Sequence, residues 1–121
     1  MAARLAEATG ATLHLTYACP PTPVAPVPEA MVVPDVRDAR KGAEAELNSM
    51  AADLRRRGVA AEVHSCVSSA ADALCSVAET VSADVIVVGN KRMSGAGRVL
   101  GSVASKVAHH APCSVLIAKT G

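Results

Sequence analysis

The stretch "VIVVGNKRMSGAGRVLGSVASKV", residues 85–107, decides the fold: four aliphatic residues run into a glycine-rich loop and then into a helical pattern. A near-continuous Val/Ile run is what a parallel strand covered on both faces requires, so this segment reads as a central strand. Gly89 closes it, Gly95 and Gly97 let a backbone approach without Cβ obstruction, and Gly101 and Ser102 open the next helix. The free N–H groups and positive dipole end of that helix favour an anion. Ser102 is placed to cap it and to donate its hydroxyl to a phosphate oxygen, with Lys91, Arg92 and Arg98 supplying charge. Spacing alone leaves two readings open, a phosphate cradle and a plain strand-to-helix turn. Neither the Walker G-K-[ST] triplet nor a G-x-G-x-x-G fingerprint is present.

Outward from this core the pattern is regular. Residues 3–9 are alanine-rich and stop at Gly10, as a helix closing on a C′ glycine does. "TLHLTYA", 12–18, alternates as a strand. "CPPTPVAPVPEAMVVP", 19–34, holds six prolines and is an extended loop. From Asp35 to Arg57, Val36, Ala39, Ala43, Leu47, Met50 and Leu54 recur at helical spacing, and Gly58 ends the run. "AAEVHSCV", 60–67, is a strand; Ser68 or Ser69 caps a helix over 70–82 with Asp72 in its first turn. "DVIVVGN", 84–90, is the central strand, Ser102 begins a helix, and "CSVLIAK", 113–119, is a final strand after Pro112. Helices alternate with strands throughout, which predicts one α/β domain over residues 1–121 with an open, parallel, doubly wound sheet.

Composition agrees and excludes several functions. At 121 residues the chain can bury roughly two-thirds of its unfolded surface. No apolar run approaches the roughly 18 residues of a spanning helix, and "MAARLAEATG" lacks a signal-peptide core, so a soluble, cytoplasmic protein is expected. The net charge of +1 and a single aromatic residue, Tyr17, argue against nucleic acid and against a flavin. Arg55, Arg56 and Arg57 fall at a helix C-terminus, where cations complement the dipole, and His109 and His110 fall at the end of another. Cys19, Cys66, Cys75 and Cys113 form no C-x-x-C pair and share no metal-like spacing with the histidines, so they read as reduced structural thiols. No Ser, His and Asp order suggests a nucleophile, and no catalytic residue is assigned.

"ADVIVVGNKRMSGAGRVLGSVASKVAHHAPCSVLIAKT", 83–120, resembles the C-terminal half of a universal stress protein domain, whose pattern is strand, G-x-x-G, a spacer of about nine residues, G-[ST], helix and A-P-C-x-V-L-[IV]. The upstream segments follow the same order, so the resemblance spans essentially the whole chain. It implies an adenine nucleotide alpha hydrolase-like fold with five parallel strands in the order 3-2-1-4-5. It also implies binding of ATP, with Mg2+, or of cyclic AMP between the first and fourth strands. Carried over, Gly89, Gly101 and Ser102 match phosphate contacts, Val88 and Val103 lie beside them, Ala18 matches a position lining the adenine pocket, and Asn90, Lys91, Arg92 and Gly95 belong to the loop. The resemblance further implies a stress-response module with at most slow ATP hydrolysis, and a homodimer through strand 113–119. The alternative is a dimeric interaction module that has lost its nucleotide.

Two departures stand out. Arg92 occupies the second glycine of G-x-x-G, and the spacer Met93–Leu100 is one residue short. An ordinary side chain at positive φ costs on the order of 1 kcal/mol, which a guanidinium contact to phosphate would offset. The second departure is larger: residue 1 matches the inside of the family's first helix, so four of five strands are present and the first, with its nucleotide-contacting aspartate, is missing. Burying five aliphatic side chains of such a strand stabilises by roughly 10 kcal/mol, comparable to a whole domain's net stability of about 5–15 kcal/mol. The remaining strands are then expected as two pairs around a gap. Three explanations stand, an N-terminally truncated form of a longer product, a strand supplied by another chain, or a rearranged sheet; truncation is the expectation, and the coding sequence upstream of Met1 tests it.

Overall fold

The structure, a computed structural model, describes residues 1–19, 36–89 and 101–119. The elements are α1 (Ala2–Thr9), β1 (Leu13–Cys19), α2 (Val36–Arg56), β2 (Ala61–Val67), α3 (Ala70–Thr80), β3 (Val85–Gly89), α4 (Ser102–His110) and β4 (Ser114–Ala118). This is the expected alternation of helix and strand. Beyond Cys19, which ends β1, the proline-rich segment lies outside the described residues, as do 90–100 of the glycine loop.

The local punctuation follows the sequence. Gly10 takes the left-handed conformation, φ 71°, and its N–H donates to the Ala6 carbonyl at 2.9 Å, closing α1. Gly58, φ 82°, closes α2 through a pair of bonds, its own N–H to Arg55 O and that of Val59 to Leu54 O. At the start of α3 the Ser69 hydroxyl accepts from the Asp72 N–H at 3.2 Å, so Ser69 is the cap.

The four strands form two parallel pairs. β1 runs beside β2 from Leu13↔Ala61 to Cys19↔Val67, and β3 runs beside β4 from Val85↔Ser114 to Gly89↔Ala118. Each pair joins consecutive strands through a helix, α2 for the first and α4 for the second. The pairs have separate cores. Ala6, Ala51, Leu54, Val59 and Ala61 join α1 and α2 to the first pair, while Ala71, Ala78, Ile86, Val88, Ala104 and Val107 join α3 and α4 to the second. Helix α3 also packs against β1 and so links the halves.

Two sequence expectations are corrected here. Strand β3 is covered on one face only: Ile86 and Val88 are buried, but Val85 is 41% exposed, because α1 and α2 pack on the other strand pair. In α2 the buried stripe passes through Ala51 and Leu54, while Met50 is 52% exposed. A small residue at Ala51, fully buried, lets the helix sit close to its sheet, and that turns Met50 outward.

Candidate functional site

In an open parallel α/β fold, ligands sit beyond the carboxyl ends of strands. Ala18 is the penultimate residue of β1, partnered with Cys66, and is half-buried. Val88 and Gly89 end β3 beside Ile117 and Ala118. Helix α4 must return from the end of β3 to the start of β4, and Ser114, where β4 starts, lies beside Val85, where β3 starts. The N-terminus of α4 therefore lies at the carboxyl end of β3. Its Ala104 and Val107 are buried in the cluster that holds Ile86 and Val88, with α3 as its main packing partner.

The N-terminus of α4 differs from the expectation in one respect. Gly101 is the N-cap, with φ −56° and ψ 153°, no side chain caps the helix, and Ser102 is the first helical residue. The Gly101 carbonyl accepts from the Ser105 N–H at 2.9 Å, which leaves the N–H groups of Ser102, Val103 and Ala104 without intrahelical partners. Ser102 and Val103 are exposed beside them. The Val88 side chain is committed to the α3/α4 core. The structure thus places Val88 and Gly89 at the end of β3, Gly101, Ser102 and Val103 at the start of α4, and Ala18 at the carboxyl end of the other pair; Asn90, Lys91, Arg92 and Gly95 lie outside the described residues.

The universal stress protein family model matches residues 1–119. The chain belongs to this family. Among solved structures, a universal stress protein in complex with cAMP is 30% identical, with a TM-score of 0.72, covering 98% of this chain and 84% of that one. A universal stress protein family member from Burkholderia pseudomallei is 26% identical with a TM-score of 0.64, covering 97% and 80% of the two chains. A universal stress protein from Lactobacillus plantarum, 20% identical with a TM-score of 0.71 and covering 96% and 83%, shares the fold. No curated protein sequence matches. Among the described residues of this universal stress protein domain, no helix is long and apolar enough to cross a membrane.

A second polar group went unseen in the sequence. His14 on β1 and Glu62 and His64 on β2 converge on one face of their pair. No local spacing marks it, because His14 lies some fifty positions from the other two and only the strand register, His14↔Glu62 and Thr16↔His64, brings them together. A cleft lined by Ala6, Gly10, Arg57, Gly58 and Val59 also opens at the amino ends of β1 and β2, the end of this pair opposite Ala18.

Proposed function

We propose that this chain is a stress-response module that binds an adenine nucleotide, ATP or cyclic AMP, at the carboxyl ends of β1 and β3. The observation that carries this reading is the N-terminus of α4, where a glycine cap leaves the first N–H groups without intrahelical partners. The cAMP complex of a 30% identical family member supports an adenine nucleotide as the guest. Gly89 and Gly101 lack side chains that would obstruct a phosphate, the Ser102 hydroxyl adds a donor, and Ala18 offers a small wall for the base. By sequence, Lys91 and Arg92 supply cations for the phosphates and Asn90 and Gly95 are further candidate contacts, and Mg2+ arrives with ATP on its phosphates. The module works in the cytoplasm and signals by occupancy, with no catalytic residue of its own beyond slow ATP hydrolysis.

Calorimetric titration with ATP, ADP and cyclic AMP tests this. Binding of ATP or cyclic AMP that Ser102→Ala weakens by about tenfold, the loss of one charge-assisted hydrogen bond, is the expected result. No binding of any of the three overturns it. Arg92→Gly then separates two roles for that side chain: tighter binding makes it an obstacle, weaker binding a phosphate ligand.

A second reading, a dimeric interaction module, rests on β4. Its Ile117 is 36% exposed, and β3 is its one strand partner among the described residues. Val115 packs against the α3/α4 core, so Ile117 is the residue to change. Sedimentation of Ile117→Lys as a monomer, against a dimer for the unmodified chain, supports pairing through 113–119; an unchanged sedimentation coefficient removes it.

A further inference from the structure

We propose that His14, Glu62 and His64 form a binding site for a divalent cation of the zinc class, a function separate from nucleotide binding. His14 Nδ1 lies 2.9 Å from His64 Nε2 and 3.3 Å from Glu62 Oε2, and the last two atoms are 4.0 Å apart. The circle through these three atoms has a radius of about 2.0 Å, and zinc bonds to imidazole nitrogen and carboxylate oxygen are about 2.0–2.2 Å long. One ion can therefore touch all three without any ligand atom moving far. Among the described residues this is the one group of three or more His, Cys, Asp or Glu side chains arranged this way.

The arrangement follows from the parallel register. Glu62 and His64 are two apart on β2 and so share a face, and His14, opposite Glu62, shares it too. The rings meet at 5.1 Å between centroids with a 39° tilt, which points one nitrogen of each toward the same place rather than stacking the faces. Without a cation, one of these two nitrogens carries a proton and donates it to the other. With a cation both lone pairs face the ion, and the protons sit on His14 Nε2 and His64 Nδ1.

The donor set selects the ion. Two imidazoles and one carboxylate suit zinc, cobalt, nickel or copper, whereas calcium and magnesium require mostly oxygen. The His14 and His64 side chains are 21% and 27% exposed and that of Glu62 is 61% exposed, so the protein surrounds one side of the ion and water completes the other. The site lies near the start of β1, with His14 four residues before Ala18, which places it about 13 Å from the proposed nucleotide end at a strand rise of about 3.3 Å per residue. Loss of nucleotide binding would leave it intact.

Titration of the full chain with cobalt(II) tests the site. The expected result is one equivalent bound, with visible d–d bands of nitrogen and oxygen coordination, no thiolate charge-transfer band, and displacement by zinc. Zinc should raise the melting temperature of the unmodified chain. The His14→Asn/His64→Asn double variant should bind cobalt at least about 100-fold more weakly, and zinc should leave its melting temperature unchanged. Glu62→Gln, at an exposed position with little bearing on folding, should weaken binding by about tenfold. A His109→Ala/His110→Ala variant should bind as the unmodified chain does. Failure of the unmodified chain to bind below about millimolar, a charge-transfer band from cysteine, or undiminished binding by both the double variant and Glu62→Gln overturns the proposal.

Discussion

Arg55 grips the carbonyl oxygen of Ala61 with two nitrogens, Nε at 3.1 Å and Nη2 at 2.7 Å. The contact ties the last turn of α2 to the first residue of β2 across a tight turn. A lysine ammonium cannot reproduce the planar fork. Because the arginine is largely exposed, Arg55→Lys is expected to lower stability by about 1 kcal/mol, less than a buried charged bond is worth. Urea unfolding measures it; an unchanged midpoint would show that the pairing carries no net stability.

Ser82 holds the left-handed conformation, φ 53°, after α3. Its N–H donates to Glu79 O at 3.3 Å and that of Ala83 to Ala78 O at 2.8 Å, the same double closure that Gly58 makes for α2. A glycine belongs at such a position. Ser82→Gly is expected to stabilise by about 0.5–1 kcal/mol, the relief of left-handed strain less the added chain entropy. A lowered urea midpoint for this variant would show that the turn is not strained.

Val107 is fully buried, the one residue of the α3/α4 core with no solvent exposure. Removing two methyl groups there leaves a cavity in the α3/α4 core. Val107→Ala should cost about 2–3 kcal/mol, whereas truncating the exposed neighbour, Ala108→Gly, should cost about 1 kcal/mol through helix propensity alone. Equal losses in the two variants would show that the core is loosely packed.

Burial raises the Cys75 thiol above its ordinary pKa, and the nearby Asp72 carboxylate and the Cys113 thiol add to the shift. A raised pKa means less thiolate at a given pH, so Cys75 should alkylate more slowly than an ordinary thiol at pH 8, its reaction profile moved to higher pH. Asp72→Asn removes one of the causes and should speed the reaction. Mass-spectrometric footprinting with iodoacetamide follows each cysteine. A Cys75 that reacts as fast as a free thiol, with no response to Asp72→Asn, contradicts the assignment.

Gly10, Gly58 and Ser69 show why so much of the fold was legible: caps and closures are made by residues within a few positions of one another, and their chemistry is written locally. The residues proposed to hold a phosphate, Gly89, Gly101 and Ser102, are likewise close in the chain, at the end of one strand and the start of the next helix. What depended on packing was misjudged. Met50 and Val85 both fit apolar patterns, yet each faces outward, because a period says which residues share a face and not what covers it.

The sequence by itself determined the order of elements, the parallel α/β class, the family and the strand-loop-helix unit proposed to hold a nucleotide. The structure has the two strand pairs expected around the missing strand, and tertiary structure alone decided that they have separate cores, that Gly101 rather than Ser102 caps α4, and that His14 meets Glu62 and His64. The physical reason is range. Hydrogen bonds within a turn or a cap are set by neighbours in the chain, but strand register and helix coverage are set by residues far apart, and no periodicity records which of them will face one another.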